Sequence, residues 1–185
     1  MYIDSIGHYL PDELIANDYF LHVNGLSDAW IYSRTGIKTR TKAAKHETTN
    51  TMGIEAVKKA AQNLPYSIDK TDLIIGASYT PFDTIGTLAH AIQHEFQLKN
   101  AKAVYISSAC SSFINAIEIA EGYFAAGKSD HALIVVSEHN SAYNNENDEK
   151  SGHLWGDGAA CIFISKHKNK KNQQIGRASC RERVC

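Results

Sequence analysis

Three short, wholly or largely apolar runs, Leu73–Ser78, Ala103–Ser107 and Ala132–Ser137, are separated by two segments of helical period, Ile85–Phe96 and Ser111–Ala126. Such runs suit strands buried on both faces, and connectors of ten or more residues with a 3.6-residue period bring successive strands side by side. That alternation dictates an α/β chain whose parallel or mixed sheet carries helices on both faces. A further strand is expected over Ala159–Ser165, and one over Tyr2–Tyr9 that is closed by the turn signal Leu10-Pro11-Asp12. Two more helices are expected: one over Ala29–Thr35, capped by Ser27 or Asp28 and stopped by Gly36, and one over Met52–Leu64, ended by Pro65.

The chain has 185 residues, 43% of them hydrophobic and 21% charged, with a net charge of −1. That size buries roughly 70% of the unfolded surface without help from disulfides or metals. Near-neutrality leaves no electrostatic footprint for nucleic acid or anionic lipid. No window reaches the roughly 18 apolar residues of a membrane helix, and the N-terminus lacks a signal-peptide pattern, so a cytoplasmic location is expected. Cys110, Cys161, Cys180 and Cys185 form no CxxC pair, and His90 and His94 lack the central Glu of a zincin helix, so no metal is expected. The Asn- and Glu-rich stretch Ser141–Ser151 reads as a solvated loop.

The last stretch, Ile175–Cys185, has no apolar periodicity and resembles the translation of a DNA sequencing adapter. The expected division is therefore residues 1–166 as the folded part, 167–174 as a Lys-rich linker and 175–185 as a non-native tail. On that reading the natural protein continues beyond about Gln174.

One local pattern carries chemistry. In Val104-Tyr-Ile-Ser-Ser-Ala-Cys-Ser-Ser-Phe an apolar strand runs into small residues, a cysteine and then a helix that is apolar nearly all round. A thiol at a helix N-terminus meets unpaired backbone N–H groups and the positive end of the dipole, so its pKa is expected to fall from about 8.5. The small neighbours Ser108, Ala109, Ser111 and Ser112 would let a carbonyl approach and let backbone N–H groups hold an oxyanion. Taken alone, Cys110 reads more readily as a small buried hydrophobe, which is what most free cysteines are. Trp30 and Arg34, four residues apart, share a helix face, either as a surface cation–π pair or as a stacking plane beside a phosphate grip. Gly156-Asp157-Gly158 reads as a tight turn into the last strand, and Cys161 as core.

Together, Ser-Ser-Ala-Cys110-Ser-Ser-Phe, Asp28-Ala-Trp30-Ile-Tyr-Ser-Arg34-Thr35-Gly36-Ile37-Lys-Thr-Arg40 and Trp155-Gly156-Asp157-Gly158-Ala159-Ala160 resemble the β-ketoacyl-acyl-carrier-protein synthase III family of thiolase-fold condensing enzymes. The resemblance runs over residues 1 to about 166 and matches the N-terminal half of that family's chain, with a central buried helix after the nucleophile.

The resemblance implies that Cys110 accepts an acyl group from acyl-CoA and that malonyl-acyl carrier protein then decarboxylates and attacks the thioester, in fatty acid initiation. It places Trp30, Arg34 and Thr35 at CoA, with Lys150 close to the position of a phosphate-contacting Arg. Ile85 falls at an acyl-pocket position contributed across a homodimer, or is a helix-start residue that packs locally. Arg40 is left structural. No cofactor is implied beyond the CoA thioester as substrate. The family's decarboxylating His and Asn come from its C-terminal half and are not identifiable here, so the chain alone is expected to be inactive and to expose apolar helix surface. Two alternatives remain: a related ketosynthase or acyltransferase of secondary metabolism making ester, amide or polyketide-like products, and a non-catalytic acyl-binding subunit.

Overall fold

The computed structural model describes residues 1–168 and 173–174. The strands are β1 (Tyr2–Tyr9), β2 (Glu13–Ala16), β3 (Thr39–Lys42), β4 (Leu73–Ala77), β5 (Lys102–Ile106), β6 (His131–Glu138), β7 (Gly158–Ser165) and β8 (Gln173–Gln174). The helices are α1 (Asp18–Val23), α2 (Asp28–Thr35), α3 (Thr49–Ala61), α4 (Leu88–Glu95), α5 (Ser112–Ala125) and the single turn α6 (Asn140–Tyr143).

The main sheet is mixed, in the order β5-β4-β6-β7-β1-β8. β4 is parallel to both β5 and β6, while β7 runs antiparallel to β6 and to β1. The parallel part coincides with the two helical crossovers α4 and α5. After β6 the chain has only the short α6 before β7, and without a crossover helix it returns antiparallel. β2 and β3 form a separate antiparallel ladder.

Alternate residues of the buried strands feed two cores. Ile74, Leu133, Val135 and Phe163 pack with Met52, Val57, Leu88 and Ile92 of α3 and α4. Leu73, Ile75, Ile134 and Ile164 pack with Ala116, Ala120 and Phe124 of α5 on the opposite face. Contact with α3 and α4 is close: a Cβ on Gly7 would meet Ala60 N at 2.7 Å, and one on Gly76 would meet Ala89 N at 2.7 Å. The other side of α5 stays open, with Ile114 56% and Phe113 36% exposed, which is the apolar helix surface expected from the sequence.

Helix boundaries follow the caps. Ser27 caps α2 by accepting from Trp30 N–H, and Gly36 ends it at φ 71°. Asp28 instead lies in the first turn and accepts from the Asn17 amide. α3 begins at Thr49 rather than Met52, because Thr48 and Thr51 form a reciprocal capping box. α4 begins at Leu88 rather than Ile85, because Asp83 Oδ1 takes the Ile85 N–H at 2.7 Å and holds that stretch as a turn. Ser141–Ser151 is not simply solvated. α6 opens this stretch, and the half-buried Glu146 accepts from Tyr19 at 2.7 Å and from Lys42 at 2.8 Å. The two residues of β8 lie within the stretch read as a linker and pair with Tyr2 and Ile3. Residues 175–185 lie outside the described residues. No described helix is long and apolar enough to cross a membrane.

Candidate functional site

Because β4, β5 and β6 are parallel, their carboxyl ends converge, the usual place for a site in an open α/β sheet. There β5 gives way to one 3₁₀ turn, Ala109–Ser111, which leads into α5. Cys110 is the middle residue of that turn and is exposed. Ala109 has φ 48°, left-handed backbone that an alanine adopts only under constraint. The constraint is visible: Ser112 Oγ donates to Ala109 O at 2.8 Å and accepts from Ser108 N at 2.9 Å, while Ser111 Oγ donates to Ser108 O at 2.7 Å. These bonds fix the turn, but they also occupy the Ser108 N–H, and Ser111 N–H is taken by Ser108 O at 3.1 Å. Ser112 N–H likewise donates to Ala109 O, so of the oxyanion donors read from the sequence those of Ser108, Ser111 and Ser112 are already engaged. No side chain caps α5.

Glu138 closes the floor beside this turn. Its carboxylate accepts from Thr80 Oγ1 at 2.6 Å, Ser78 Oγ at 3.1 Å and the N–H groups of Tyr79 and Thr80, both at 3.1 Å. Tyr79 in turn donates to Asn140 Oδ1 at 2.5 Å. Burial and then the Glu138 charge raise the Tyr79 pKa, with Asn140 opposing and Cys110 adding a smaller rise. Tyr79 and Asn140, with Tyr143, Asn144, Asn145 and Trp155, line a cleft at this end of the sheet.

The second group sits on α2. The Arg34 guanidinium lies 4.3 Å over the Trp30 ring, so the expected shared face is real and the two form a cation–π pair. Thr35 is spent locally: its hydroxyl donates to Ile31 O at 2.8 Å and accepts from Ile37 N at 3.1 Å. Lys150 is exposed, and its backbone N–H is bonded to Asp148. Among the described residues no hydrogen bond or ring contact joins it to Trp30 or Arg34. From the same segment it is His153 that reaches Trp30, edge-to-face at 5.6 Å. Ile85 is 87% exposed on the β4–α4 connection, which rules out its reading as a locally packed helix-start residue. Arg40 is structural, buried over the Phe20 ring and donating to Ile15 O and Asn17 Oδ1.

Asp157, read from the sequence only as part of a glycine turn, is a buried junction. Its carboxylate accepts from Ala43 N at 2.7 Å, Ser141 N at 2.8 Å and Ser141 Oγ at 2.5 Å. It thereby ties the strand that follows α2 to the carboxyl end of β6.

Residues 105–183 match the family model of 3-oxoacyl-[acyl-carrier-protein] synthase III. The β-ketoacyl-[acyl-carrier-protein] synthase III of Acholeplasma laidlawii is 38% identical over 172 residues, which are 92% of this chain and 55% of that protein. The chain is similar to the β-ketoacyl-acyl-carrier-protein synthase III family over nearly its whole length. The crystal structure of the Aquifex aeolicus synthase III superposes with a TM-score of 0.86 at 34% identity, covering 91% of this chain and 55% of that one. The priming β-ketosynthase of the R1128 polyketide pathway gives 0.84 at 29% identity, over 88% of this chain and 49% of its own. The chain thus spans about half the length of the curated relatives it matches.

Cys161 is core, with burial pushing its thiol up to about 12. Among the described residues no group of three or more His, Cys, Asp or Glu side chains is placed to hold a metal. Sequence reasoning missed Glu138, His153 and Asp157. Each acts through partners far along the chain; a local motif marks Asp157 only as part of a turn, and none marks Glu138 or His153.

Proposed function

We propose that this protein is a condensing acyltransferase of the synthase III type, with Cys110 as the acyl acceptor. The observation that carries this reading is an exposed cysteine set in a rigid turn at the carboxyl ends of parallel strands, in a chain that resembles named synthases throughout. The Cys110 thiolate attacks the acyl-CoA carbonyl, a C–S bond forms, the bond to the CoA sulfur breaks, and CoA leaves as a thiol after taking up a proton. Trp30 and Arg34 hold the nucleotide part of CoA, the indole as a stacking surface and the guanidinium as a phosphate grip. Thr35 and Lys150 are assigned to the same region, Thr35 through the turn that its hydroxyl fixes and Lys150 as an exposed surface cation. Ile85 is assigned to the acyl pocket of the opposite subunit in a homodimer, its exposure leaving it free to reach across.

The second substrate is malonyl-acyl carrier protein. Loss of CO2 leaves an enolate whose carbon attacks the Cys110 thioester, forming the C–C bond and releasing the thiol. The pathway is fatty acid initiation, in the cytoplasm. Likeness to a priming polyketide synthase favours, as a second reading, the same chemistry in secondary metabolism. Intact-mass analysis of the protein expressed from its complete reading frame tests the first step: an acyl adduct that disappears in Cys110→Ala is expected, and no adduct with any acyl-CoA would point to an acyl-binding subunit. Product analysis with malonyl-acyl carrier protein tests the second, where absence of a β-ketoacyl product overturns the condensing assignment.

A further inference from the structure

His153 is 2% exposed, and its Nδ1 is buried with no hydrogen-bond partner. It is the middle member of a column of rings and cations. Arg40 lies 4.7 Å over Phe20, Phe20 meets the imidazole edge-to-face at 6.5 Å, the imidazole meets Trp30 at 5.6 Å and 81°, and Arg34 covers Trp30 at 4.3 Å. If this position served only to fill space, a phenylalanine or leucine would do so without stranding a polar nitrogen in the interior. Burial and the nearby Arg40 charge lower the imidazole pKa from its ordinary 6.5, with Asp148 opposing, the direction that a ring between two guanidinium groups calls for, since a third cation there would be repelled.

We propose that His153 is a positioning residue: its edge-to-face contact fixes the Trp30 indole in the orientation with which Trp30 and Arg34 hold the nucleotide of the thioester substrate. This rests on the assignment of Trp30 and Arg34 to CoA made above. Aromatic pairs favour T-shaped contact, so the imidazole sets the tilt of the indole while Arg34 occupies one of its faces. Because His153 and the Asp148 turn lie on the same segment, ordering of that segment and of Trp30 are coupled.

The test compares two donors of the same acyl group to Cys110 in the protein expressed from its complete reading frame: acyl-CoA, and the acyl thioester of N-acetylcysteamine, which has no nucleotide. In His153→Ala the half-saturating acyl-CoA concentration is expected to rise roughly tenfold with the maximal rate unchanged, while the N-acetylcysteamine donor is unaffected. His153→Phe, which keeps a ring edge, is expected to stay within about twofold of the parent for both donors. Should His153→Ala not fold, His153→Leu fills the volume without an aromatic edge and carries the same expectation. The proposal is overturned if the alanine or leucine variant leaves acyl-CoA saturation unchanged, or affects both donors alike. Trp30→Ala separates the two layers: if it too leaves acyl-CoA saturation unchanged, the nucleotide assignment itself has failed, and the proposal falls with it.

Discussion

Thr80 donates its hydroxyl to the Glu138 carboxylate at 2.6 Å, locking the first residues after β4 onto the end of β6 beside the Cys110 turn. The same carboxylate takes three further donors, so its removal strands several buried groups at once. Hydrogen bonds to charged groups are worth about 1.5–3 kcal/mol each and are not additive. Glu138→Ala is expected to cost about 3 kcal/mol, read as a lowered urea midpoint, and to slow acylation of Cys110 as Tyr79 loses its anchor. An unchanged midpoint would show that the loop holds without the carboxylate.

The two cysteines in the described part differ in access. Cys110 is exposed and Cys161 is buried with its thiol pushed up to about 12. Iodoacetamide at neutral pH should modify the peptide carrying Cys110 and leave that carrying Cys161 intact until denaturant is added, as peptide mass mapping will show. Comparable labelling of both in the native protein would contradict the packing of β7.

Much of this architecture is legible in the sequence, and what is not has physical causes. β4, β5, β6 and β7 announce themselves as apolar runs bounded by turns, β1 is marked by the turn signal that closes it, and α2 carries both its boundary signals, the cap Ser27 and the stop Gly36. The β2–β3 ladder does not, because its strands are four residues long and their partners stand far apart: Glu13 faces Lys42 and Ala16 faces Thr39. At the site, the small residues around Cys110 are a local signal. Glu138, Asp157 and His153 draw their meaning from Thr80, Ala43 and Trp30, which only folding brings near them.

Stability should respond to acid through Glu47. Burial raises its carboxyl, but bonds from the Tyr9 hydroxyl and the Ala44 N–H outweigh that and hold it below its ordinary value of 4.5. A depressed carboxyl stabilises the fold above its unfolded pKa and loses that contribution as pH falls below about 4.5. The same contact pushes the Tyr9 phenol up to about 12, so its share persists past pH 10 and fades as pH rises through 12. Tyr9→Phe should therefore lower Tm most near pH 7, by the equivalent of about 1–2 kcal/mol, with the gap to the parent closing toward pH 3. A gap independent of pH would mean that packing, not the bond, is lost.

Stacking on aromatic side chains contributes about 1–3 kcal/mol per base. Trp30→Ala should accordingly raise the half-saturating acyl-CoA concentration by roughly 5- to 100-fold. Arg34→Ala should raise it less at high salt than at low, since a phosphate contact is screened. Titration at two ionic strengths distinguishes the two contributions.

Close approach of α3 to β1 leaves no space at Gly7, where a methyl group would meet Ala60 N at 2.7 Å as well as the Ala56 carbonyl oxygen. Gly7→Ala should destabilise by about 1–3 kcal/mol through overpacking against backbone that cannot yield. A thermal melt matching the parent would show that α3 can slide on the sheet.

Ala109 stands immediately before the nucleophile in a conformation that glycine would adopt freely and alanine adopts at a cost of about 1–2 kcal/mol. At this position durability and turnover are opposed. Ala109→Gly relieves the backbone and also frees it to explore, so a protein that melts no earlier should present its sulfur less consistently to an incoming thioester. The methyl group of Ala109 thus trades backbone ease for a narrower range of aim at the sulfur beside it.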